Sequence, residues 1–319
     1  MFFKKTIISV FILSFSFFLC LQSCFAFDYE IIDLGHFDDP TFPDSDFRRS
    51  QALGINDNGE VVGFDILVNG GELGFVWQEG RLQALPMPAA ADINNKRQVV
   101  GEVLFDLKTK TKTSLQNIFS YAINDAGQIV GIKDSYPCLW ENGNITVLDE
   151  TWGEARDINE KGVIVGESSG EAFIWDNGDF SIINNVNKAF GINDAGQVVG
   201  QAHGRPCLWE NGQIEFLDEL GVLGEAYDIN NSGQIVGRCH NKAFFWEDGK
   251  IVYLNDFLDY DSGWWDLREA YAINNKGQIV GWGQYEYSTR RAFLLNPIPE
   301  PSTILLFLSG IFGLKILMT

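Results

Sequence analysis

The stretch Ala189–Gly200, with the sequence AFGINDAGQVVG, decides the fold because variants of it occur seven times along the chain. Neighbouring copies are 30 to 44 residues apart. The copies are identified by their asparagines, which are Asn56, Asn94, Asn124, Asn159, Asn193, Asn230 and Asn274. A repeat of this length is typical of solenoids and propellers, whose units bury a shared core by stacking. We therefore expect one repeat architecture across most of the 319 residues.

Each copy contains the signals for four short strands. In the fifth copy, two apolar segments flank the turn Asn193–Gly196, in which the glycine supplies a positive φ. A second turn, Asn211-Gly212, follows a third strand, and this pair suits a tight type I′ hairpin. The expected strands are Lys188–Ile192, Gln197–Gly200, Pro206–Trp209 and Gln213–Leu217. Four short antiparallel strands are the content of one propeller blade.

The two ends of the repeat array predict a closed ring. The seventh copy supplies three strands and stops at Pro297, whereas Tyr29–Leu34 reads as a single strand outside any copy. Pairing that strand with the seventh copy would complete the last blade and leave no free sheet edge. We therefore predict an all-β fold, a β-propeller with seven blades whose last blade is shared by the N- and C-terminal ends.

Two other arrangements are also compatible with the repeats. One is an open β-solenoid, which would be elongated. The second copy is irregular, because Arg97 replaces its turn glycine and the third strand and Asn-Gly turn are missing. Its segment Lys108–Lys112 alternates Lys and Thr, as an exposed edge strand or a loop would. The second blade could therefore have only two or three strands, and a six-bladed ring is the alternative count.

The N-terminal residues predict export. A pair of lysines precedes the apolar run Thr6–Leu21, and a small residue, Ala26, follows. This order of basic, apolar and small-residue regions is typical of a secretory signal peptide, here cleaved near Ala26. A lipoprotein signal is the alternative, in which Cys24 would become the lipidated first residue.

The chain is predicted to have three parts: a signal peptide at 1–26, the repeat β-propeller at 27–297, and a sorting segment at 298–319. The last part contains the apolar stretch Ile304–Leu314. Counted on to Thr319, about 16 residues would span roughly 24 Å as a helix, which is slightly short of a bilayer core. We predict a C-terminal transmembrane helix there.

Pro299, Glu300 and Pro301 stand before this apolar stretch. The arrangement resembles the PEP-CTERM sorting signal of Gram-negative bacteria. The resemblance implies an exosortase as partner, transient membrane attachment through the helix, and a final location at the cell surface or in the extracellular matrix. The chain departs from that family in one respect, because such tails usually end in several Arg residues and this one has only Lys315.

The third strand of several copies has the form Ala-Phe-Leu-Trp. It occurs at Glu171–Trp175, Lys242–Trp246 and Arg291–Leu294. Together with the Ile-Asn-x-x-Gly-Gln-Val-Val-Gly phrase, this strand resembles the HAF repeat of extracellular bacterial proteins, which frequently carry a PEP-CTERM tail. The His that names the repeat is replaced by Glu, Lys and Arg in these copies, so no role of that His is transferred. The resemblance implies no enzymatic activity.

Side chains that recur at one point of the repeat are expected in the core. Large aromatic residues at such a point pack between neighbouring units. Cys138 and Cys207 share another recurrent position two copies apart, which in a ring exceeds the limit of roughly 7 Å between Cα atoms for a disulfide. We expect them to be buried thiols, and Cys239 is left over as a free thiol. The recurrent tryptophans are Trp77, Trp140, Trp175, Trp209 and Trp246.

The charge of the chain excludes one class of partner. The formal net charge is −20, with acids spread over the turns. Nucleic-acid binding needs clusters of Lys and Arg on phosphates, so we expect no nucleic-acid partner. A solvated surface is the simplest interpretation of this charge, and we expect a monomer.

The longest insertion between two copies, Leu258–Glu269, is the candidate ligand site. Long insertions on a repeat scaffold tend to carry function, and paired indoles beside carboxylates suit a polysaccharide. An apolar cap over one face of the ring is the alternative interpretation. The candidate binding residues are Trp264, Trp265, Asp259, Asp261 and Asp266.

The sequence contains no Ser-His-Asp, P-loop or metal-hydrolase motif and no zinc spacing. We therefore predict a non-enzymatic secreted or cell-surface protein, a binding or scaffold module for extracellular polysaccharide or surface proteins, with no catalytic residue, metal site or cofactor. The alternatives are a glycan hydrolase or lyase that uses acids such as Asp259 and Asp266, and a structural spacer. Asp57, Asp125 and Asp194 are interpreted as turn formers that bond their own backbone, with Ca²⁺ binding as the alternative.

Overall fold

Short antiparallel strands account for nearly all of the computed structural model, which describes residues 29–37, 49–67, 70–218, 221–286 and 289–298. These strands form seven four-stranded units, the blades. The first three blades are β2 (Arg49–Ile55), β3 (Val61–Ile66), β4 (Glu72–Gln78) and β5 (Arg81–Ala84); β6 (Ala90–Ile93), β7 (Gln98–Gly101), β8 (Val103–Asp106) and β9 (Lys112–Ser114); and β10 (Phe119–Ile123), β11 (Ile129–Lys133), β12 (Tyr136–Glu141) and β13 (Asn144–Val147).

The next three blades follow the same order. Their strands are β14 (Gly153–Ile158), β15 (Ile164–Ser168), β16 (Glu171–Asp176) and β17 (Asp179–Ile182); β18 (Lys188–Ile192), β19 (Val198–Ala202), β20 (Arg205–Glu210) and β21 (Gln213–Phe216); and β22 (Gly224–Ile229), β23 (Ile235–Cys239), β24 (Lys242–Glu247) and β25 (Lys250–Tyr253). A 3₁₀ helix, Leu254–Phe257, precedes the seventh blade. That blade contains β26 (Trp264–Ile273), β27 (Ile279–Tyr285), β28 (Thr289–Pro297) and β1 (Tyr29–Asp33).

The first strand of each blade lies innermost, because the first strands of neighbouring blades lie beside one another around the ring. The seven asparagine turns join first strands to second strands, so they share one end of the blades, the asparagine face. The turns between second and third strands, and the connections from blade to blade, lie at the other end, the opposite face. Tyr29 pairs with Pro297, so both ends of the described chain lie at the asparagine face.

The ring is closed by the N-terminal strand. β1 pairs antiparallel with β28, and a single parallel bridge links β28 to β2 of the first blade. The side-chain Nδ2 of Asn274 in the seventh blade donates to the carbonyl of Asn56 in the first, at 2.9 Å. The predicted all-β, seven-bladed propeller with a shared last blade is confirmed, and the open solenoid and the six-bladed ring are wrong.

The second blade is complete, so the prediction of two or three strands is wrong. Its third and fourth strands, β8 and β9, form without the Asn-Gly turn, and β9 is the exposed edge. Arg97 adopts the positive φ of the missing glycine, at 70°. Its guanidinium contacts the buried carboxylate of Glu60 in the first blade at 2.7 Å. Glu60 stands where the repeated phrase has glutamine. Two residues that depart from the repeat therefore contact each other across the boundary between the first and second blades.

The glycine of the Val-Val-Gly segment is required by the close approach of the inner strand in each blade. The inner strand bulges opposite it, which brings a backbone carbonyl close. A Cβ placed on Gly200 would lie 1.9 Å from the carbonyl oxygen of Lys188. The corresponding glycines of the other six blades meet the same obstacle at 1.9 to 2.2 Å. The last letter of the repeated phrase is therefore fixed by this close backbone approach.

The hydrophobic core lies between neighbouring blades. Trp77, Trp140 and Trp246 are buried, and the other two recurrent tryptophans pack half-buried against the clusters between blades, as predicted. Cys138 and Cys207 are buried free thiols, which confirms that expectation. Cys239 is also buried and free.

The predicted fold class needs one correction, which concerns the transmembrane helix. In the described part of the chain, no helix is long and apolar enough to cross a membrane. The helix found there is a four-residue 3₁₀ turn, whereas a bilayer span needs about 20 apolar residues. The fold class is therefore corrected to an all-β propeller that has no membrane-spanning helix among its described residues. The segment on which it was placed, together with Pro299, Glu300 and Pro301, lies outside the described residues, as does the predicted signal peptide.

Candidate functional site

The insertion before the seventh blade is an ordered structure held by hydrogen bonds to backbone groups. The 3₁₀ helix supplies Asn255, whose Oδ1 accepts from the N–H of Leu267 at 2.6 Å. The N–H of Glu286, in the turn between β27 and β28, donates to the carbonyl of Gly263 at 3.0 Å. The hydroxyl of Ser262 donates to the carbonyl of Asp259 at 2.7 Å. The loop is thus tied to the inner strand, to the neighbouring turn and to itself.

The two adjacent tryptophans near the start of β26 are in different surroundings, and the pairing register with β27 shifts between Trp264 and Asp266, so that Trp265 lies at a β-bulge. Trp264 is 7% exposed and packs edge-on against Tyr285 and Phe293, with ring centroids 5.2 and 6.0 Å away. Trp265 is 60% exposed. The expectation of two paired indoles on a surface is therefore corrected: Trp264 belongs to the core, and Trp265 presents its ring outward.

The three acidic residues of the insertion are in different surroundings. Asp259 and Asp261 are exposed on the loop. Asp266 is half-buried, accepts from Nδ2 of Asn255 at 2.5 Å, and pairs with Arg268 at 2.9 Å. The charge of Asp266 is therefore balanced, whereas the two loop carboxylates face solvent.

The five predicted binding residues line one cavity of about 860 Å³ at the opposite face. Tyr260, which is fully exposed, and Lys242 complete its polar and aromatic wall. Sequence reasoning missed both, although Tyr260 lies inside the candidate insertion. The cavity offers two aromatic surfaces, hydrogen-bond acceptors and one ammonium, which is the inventory of a binding site for a polar ligand with apolar faces.

The seven innermost strands surround the central channel of the ring. The asparagines of the repeated phrase form a closed ring of hydrogen bonds around this channel. Each buried Nδ2 donates to the backbone carbonyl of the asparagine in the next blade, and the seven distances lie between 2.9 and 3.1 Å. The same side chain caps its own turn. In Asn274, for example, Oδ1 accepts from the N–H groups of Lys276 and Gln278, both at 3.0 Å. The asparagine therefore joins the blades as well as shaping the turn.

The residue after each asparagine forms a second, exposed ring. Its side-chain oxygen accepts the backbone N–H of the equivalent residue in the preceding blade, at 2.8 to 3.0 Å. Asp57, for example, accepts from the N–H of Asn275. Asp57, Asp125 and Asp194 were predicted to bond their own backbone, and this is wrong, because they bond the neighbouring blade. In the described residues, no group of three or more His, Cys, Asp or Glu side chains is arranged to hold a metal ion.

Three aspartates lie on the innermost strands, two residues before the asparagines of their blades. Asp92, Asp157 and Asp228 occupy one position of the inner strand in the second, fourth and sixth blades, where the odd blades carry Gly or Ala. Each carboxylate accepts its own isoleucine N–H and that of the next blade. Burial raises the pKa values to about 8, 7 and 6, and repulsion between these carboxylates adds to the rise for the first two. Sequence reasoning missed this alternation, although the repeats display it.

An arc of planar side chains lines the channel at the position just before the aspartates in sequence, farther from the asparagine face. The guanidinium of Arg156 lies 4.3 Å from the ring centroid of Tyr121 and 5.8 Å from that of Phe190. Phe190 contacts Tyr227, with centroids 5.6 Å apart, and Tyr227 contacts Tyr271 at 5.5 Å. The first and second blades carry a leucine and an alanine at this position. The planar groups pack on one another, so they stabilise the inner wall.

Comparisons with known proteins give only loose similarities. No protein-family model matches the chain, and no curated protein matches its sequence. An Aleuria aurantia lectin in complex with Fucα1-6GlcNAc is 9% identical, with a TM-score of 0.37 over 80% of this chain and 97% of that chain. The extracellular domain of the hybrid two-component system BT4673 from B. thetaiotaomicron is 10% identical, with a TM-score of 0.35 over 86% of this chain and 40% of that chain. Apo AztD from Citrobacter koseri is 11% identical, with a TM-score of 0.30 over 78% of this chain and 74% of that chain. Similarities this distant transfer no ligand to the present chain.

Proposed function

We propose that this protein is an exported, non-enzymatic glycan-binding module and that the insertion cavity is its binding site. The observation that carries the proposal is the outward-facing indole of Trp265 in a cavity that also holds Tyr260 and the free carboxylates of Asp259 and Asp261. A sugar ring has an apolar C–H face and a rim of hydroxyls. Aromatic side chains can cover such a face, and carboxylates accept hydrogen bonds from hydroxyls.

The charge of the cavity narrows the class of glycan. Its lining includes the carboxylates of Asp259, Asp261 and Glu286, and Lys242 is the one basic side chain among its described residues. The whole chain is strongly acidic as well. Like charges across an interface weaken binding and slow encounter. We therefore propose neutral or amino-bearing polysaccharides as ligands, and not acidic ones.

The export part of the proposal comes from the sequence. It is supported by the order of basic, apolar and small residues up to Ala26 and by the resemblance of Pro299, Glu300 and Pro301 to an exosortase sorting motif. Mass spectrometry of the secreted protein should find a mature N-terminus near Phe27. Finding the uncleaved chain in the cytoplasm would refute this part.

The binding proposal is tested by calorimetry with three probes: a neutral β-glucan hexasaccharide, a chitosan hexasaccharide and an alginate oligosaccharide. We expect binding of at least one of the first two and none of the third. Trp265→Ala should weaken that binding by about tenfold or more, because aromatic anchors dominate binding energy. Leu223→Ala is the matched control, since Leu223 is similarly exposed, at 68%, on another blade connection of the same face.

Two results would refute the proposal: no binding of either probe by the native protein, or equal binding by the native protein and Trp265→Ala. Trp264 is unsuitable for this test, because its removal would open a cavity in the core. Incubation with the bound polysaccharide should leave its chain length unchanged. Shortened chains would instead favour the alternative of a glycan-active enzyme.

A further inference from the structure

The two faces of the ring differ sharply in exposed apolar groups. Nine large apolar side chains are exposed in the described residues, and eight of them lie at the opposite face. The exception is Ile298, which follows β28 at the asparagine face. Exposed apolar groups that cluster on one surface mark interaction sites. The eight are Phe119, Tyr136, Val147, Trp152, Ile182, Leu223, Tyr260 and Trp265.

Four of these eight belong to the third blade and its exit connection. We call Phe119, Tyr136, Val147 and Trp152 the blade-3 patch. Trp152 is 62% exposed. Its carbonyl accepts from the N–H of Ser169 at 2.9 Å, and the next N–H, that of Gly153, donates to the turn beside Tyr136 at 3.0 Å. The indole therefore stands on a connection that is fixed on both sides.

The blade-3 patch repeats the chemistry of the insertion cavity. Each has an exposed indole and an exposed phenol. Trp152 lies on the connection from the third blade to the fourth, and Trp265 lies near the start of β26, directly after the insertion. In the patch, the carboxylate of Asp149 bonds the hydroxyls of Thr151 and Ser168. In the cavity, the hydroxyl of Ser262 bonds the carbonyl of Asp259. Aromatic rings thus stand beside fixed polar groups at two places, three blades apart on one face.

We propose that the blade-3 patch is a second binding site for the same polysaccharide, so that one propeller holds a glycan at two places. This inference rests on the proposed function of the insertion cavity. The position of both sites on one face, and the exposed indole and phenol that they share, favour a glycan over a protein partner here. Two sites on one rigid body raise the affinity for a long chain, because the second contact forms at a high effective concentration. A short oligosaccharide gains nothing from the second site when it occupies the first.

The test compares one short and one long ligand of the same chemistry on the full mature protein. The probes are the hexasaccharide that binds best, either β-glucan or chitosan, and the soluble polymer of the same sugar. The variants are Trp152→Ala, Trp265→Ala and, as matched control, Leu223→Ala. Leu223 precedes a Gly-Glu-Ala segment, as Trp152 does, but offers no ring. Hydrogen exchange on the Trp152→Ala protein verifies that the third blade stays folded.

We expect Trp152→Ala to lower polymer affinity by about tenfold or more and to leave hexasaccharide affinity within about twofold of the native value. The control should change neither affinity. Native polymer affinity in Trp152→Ala would overturn the second site, and it is also the result expected if the patch docks a protein instead. That outcome leaves the insertion cavity intact as a binding site. If Trp265→Ala alone loses binding, and loses it for both ligands, the result supports the cavity and refutes the patch.

Discussion

Replacement of Asn274 by alanine should destabilise the ring more than any exposed substitution in the same turn. The side chain is buried and makes four hydrogen bonds. Its Nδ2 donates to the carbonyl of Asn56 at 2.9 Å and to Oε1 of Gln278 at 2.7 Å. Its Oδ1 accepts the N–H groups of Lys276 and Gln278. Alanine removes all four bonds and leaves the Asn56 carbonyl with only the bond that it accepts from the N–H of Gly59 in its own turn.

The magnitude follows from the number of bonds lost. A buried hydrogen bond contributes about 1 kcal/mol net, and an unsatisfied buried group costs about 1–3 kcal/mol. With four bonds lost at a buried position, we expect a loss of about 3–5 kcal/mol. This is a large fraction of the roughly 5–15 kcal/mol that keeps a protein folded.

The assay is equilibrium unfolding in urea, followed by tryptophan fluorescence, with the midpoint as the readout. Asn275→Ala is the control, since that side chain also bonds across the seam to Asp57 but is exposed. We expect it to cost about 1 kcal/mol or less. Asn193→Ala, which breaks the same bonds between two internal blades, should match Asn274→Ala. Equal midpoints for Asn274→Ala and Asn275→Ala would refute the reasoning.

Three further predictions concern the blade, the channel and the seam. Gly200→Ala should prevent or strongly impair folding, because its Cβ would lie 1.9 Å from a carbonyl oxygen. Gly212→Ala, at a turn with open space, should lower the free energy of unfolding by only about 1 kcal/mol, measured by thermal denaturation. Native stability should fall as pH rises from about 4 to 8, since burial raises the folded pKa of Asp92 to about 8, above its unfolded value, and the unfolded state therefore ionises first. Asp92→Ala should flatten that slope in urea titrations at several pH values, and an unchanged slope would contradict the assignment. Deleting Tyr29–Asp33 exposes the edge of β28 and should produce aggregates in size-exclusion chromatography, whereas a monomer of native stability would refute closure by β1.

The propeller could be predicted because its signals are local and repeated. Each Asn-x-x-Gly and Asn-Gly turn fixes a hairpin, and the orphan strand at Tyr29 fixes how the array closes. The third strand of the second blade was missed because no turn chemistry precedes it. That strand forms through pairing with β7, which is tertiary context that a propensity argument does not contain.

The candidate site could be located from the sequence but not resolved. Insertion length identified a segment whose five named residues line one cavity. The burial of Trp264 depends on its packing against Tyr285 and Phe293, which the sequence does not display. Contacts between blades were missed for a different reason. The pairing of Arg97 with Glu60, and the bonds from Asp57 to the neighbouring blade, join residues that are distant in sequence. A signal was nonetheless present, because each such residue departs from the repeat or recurs at its second turn position.

The ring of asparagines makes this single chain resemble a cyclic oligomer whose subunits have been fused. Every blade donates to the next and accepts from the one before, so the contact is head-to-tail, and such contacts end only when the rotation closes on itself. In such an assembly no blade is first or last. The backbone could therefore begin at other blade boundaries, and a chain whose natural termini were joined and reopened between two internal blades would keep the complete cycle of side-chain bonds.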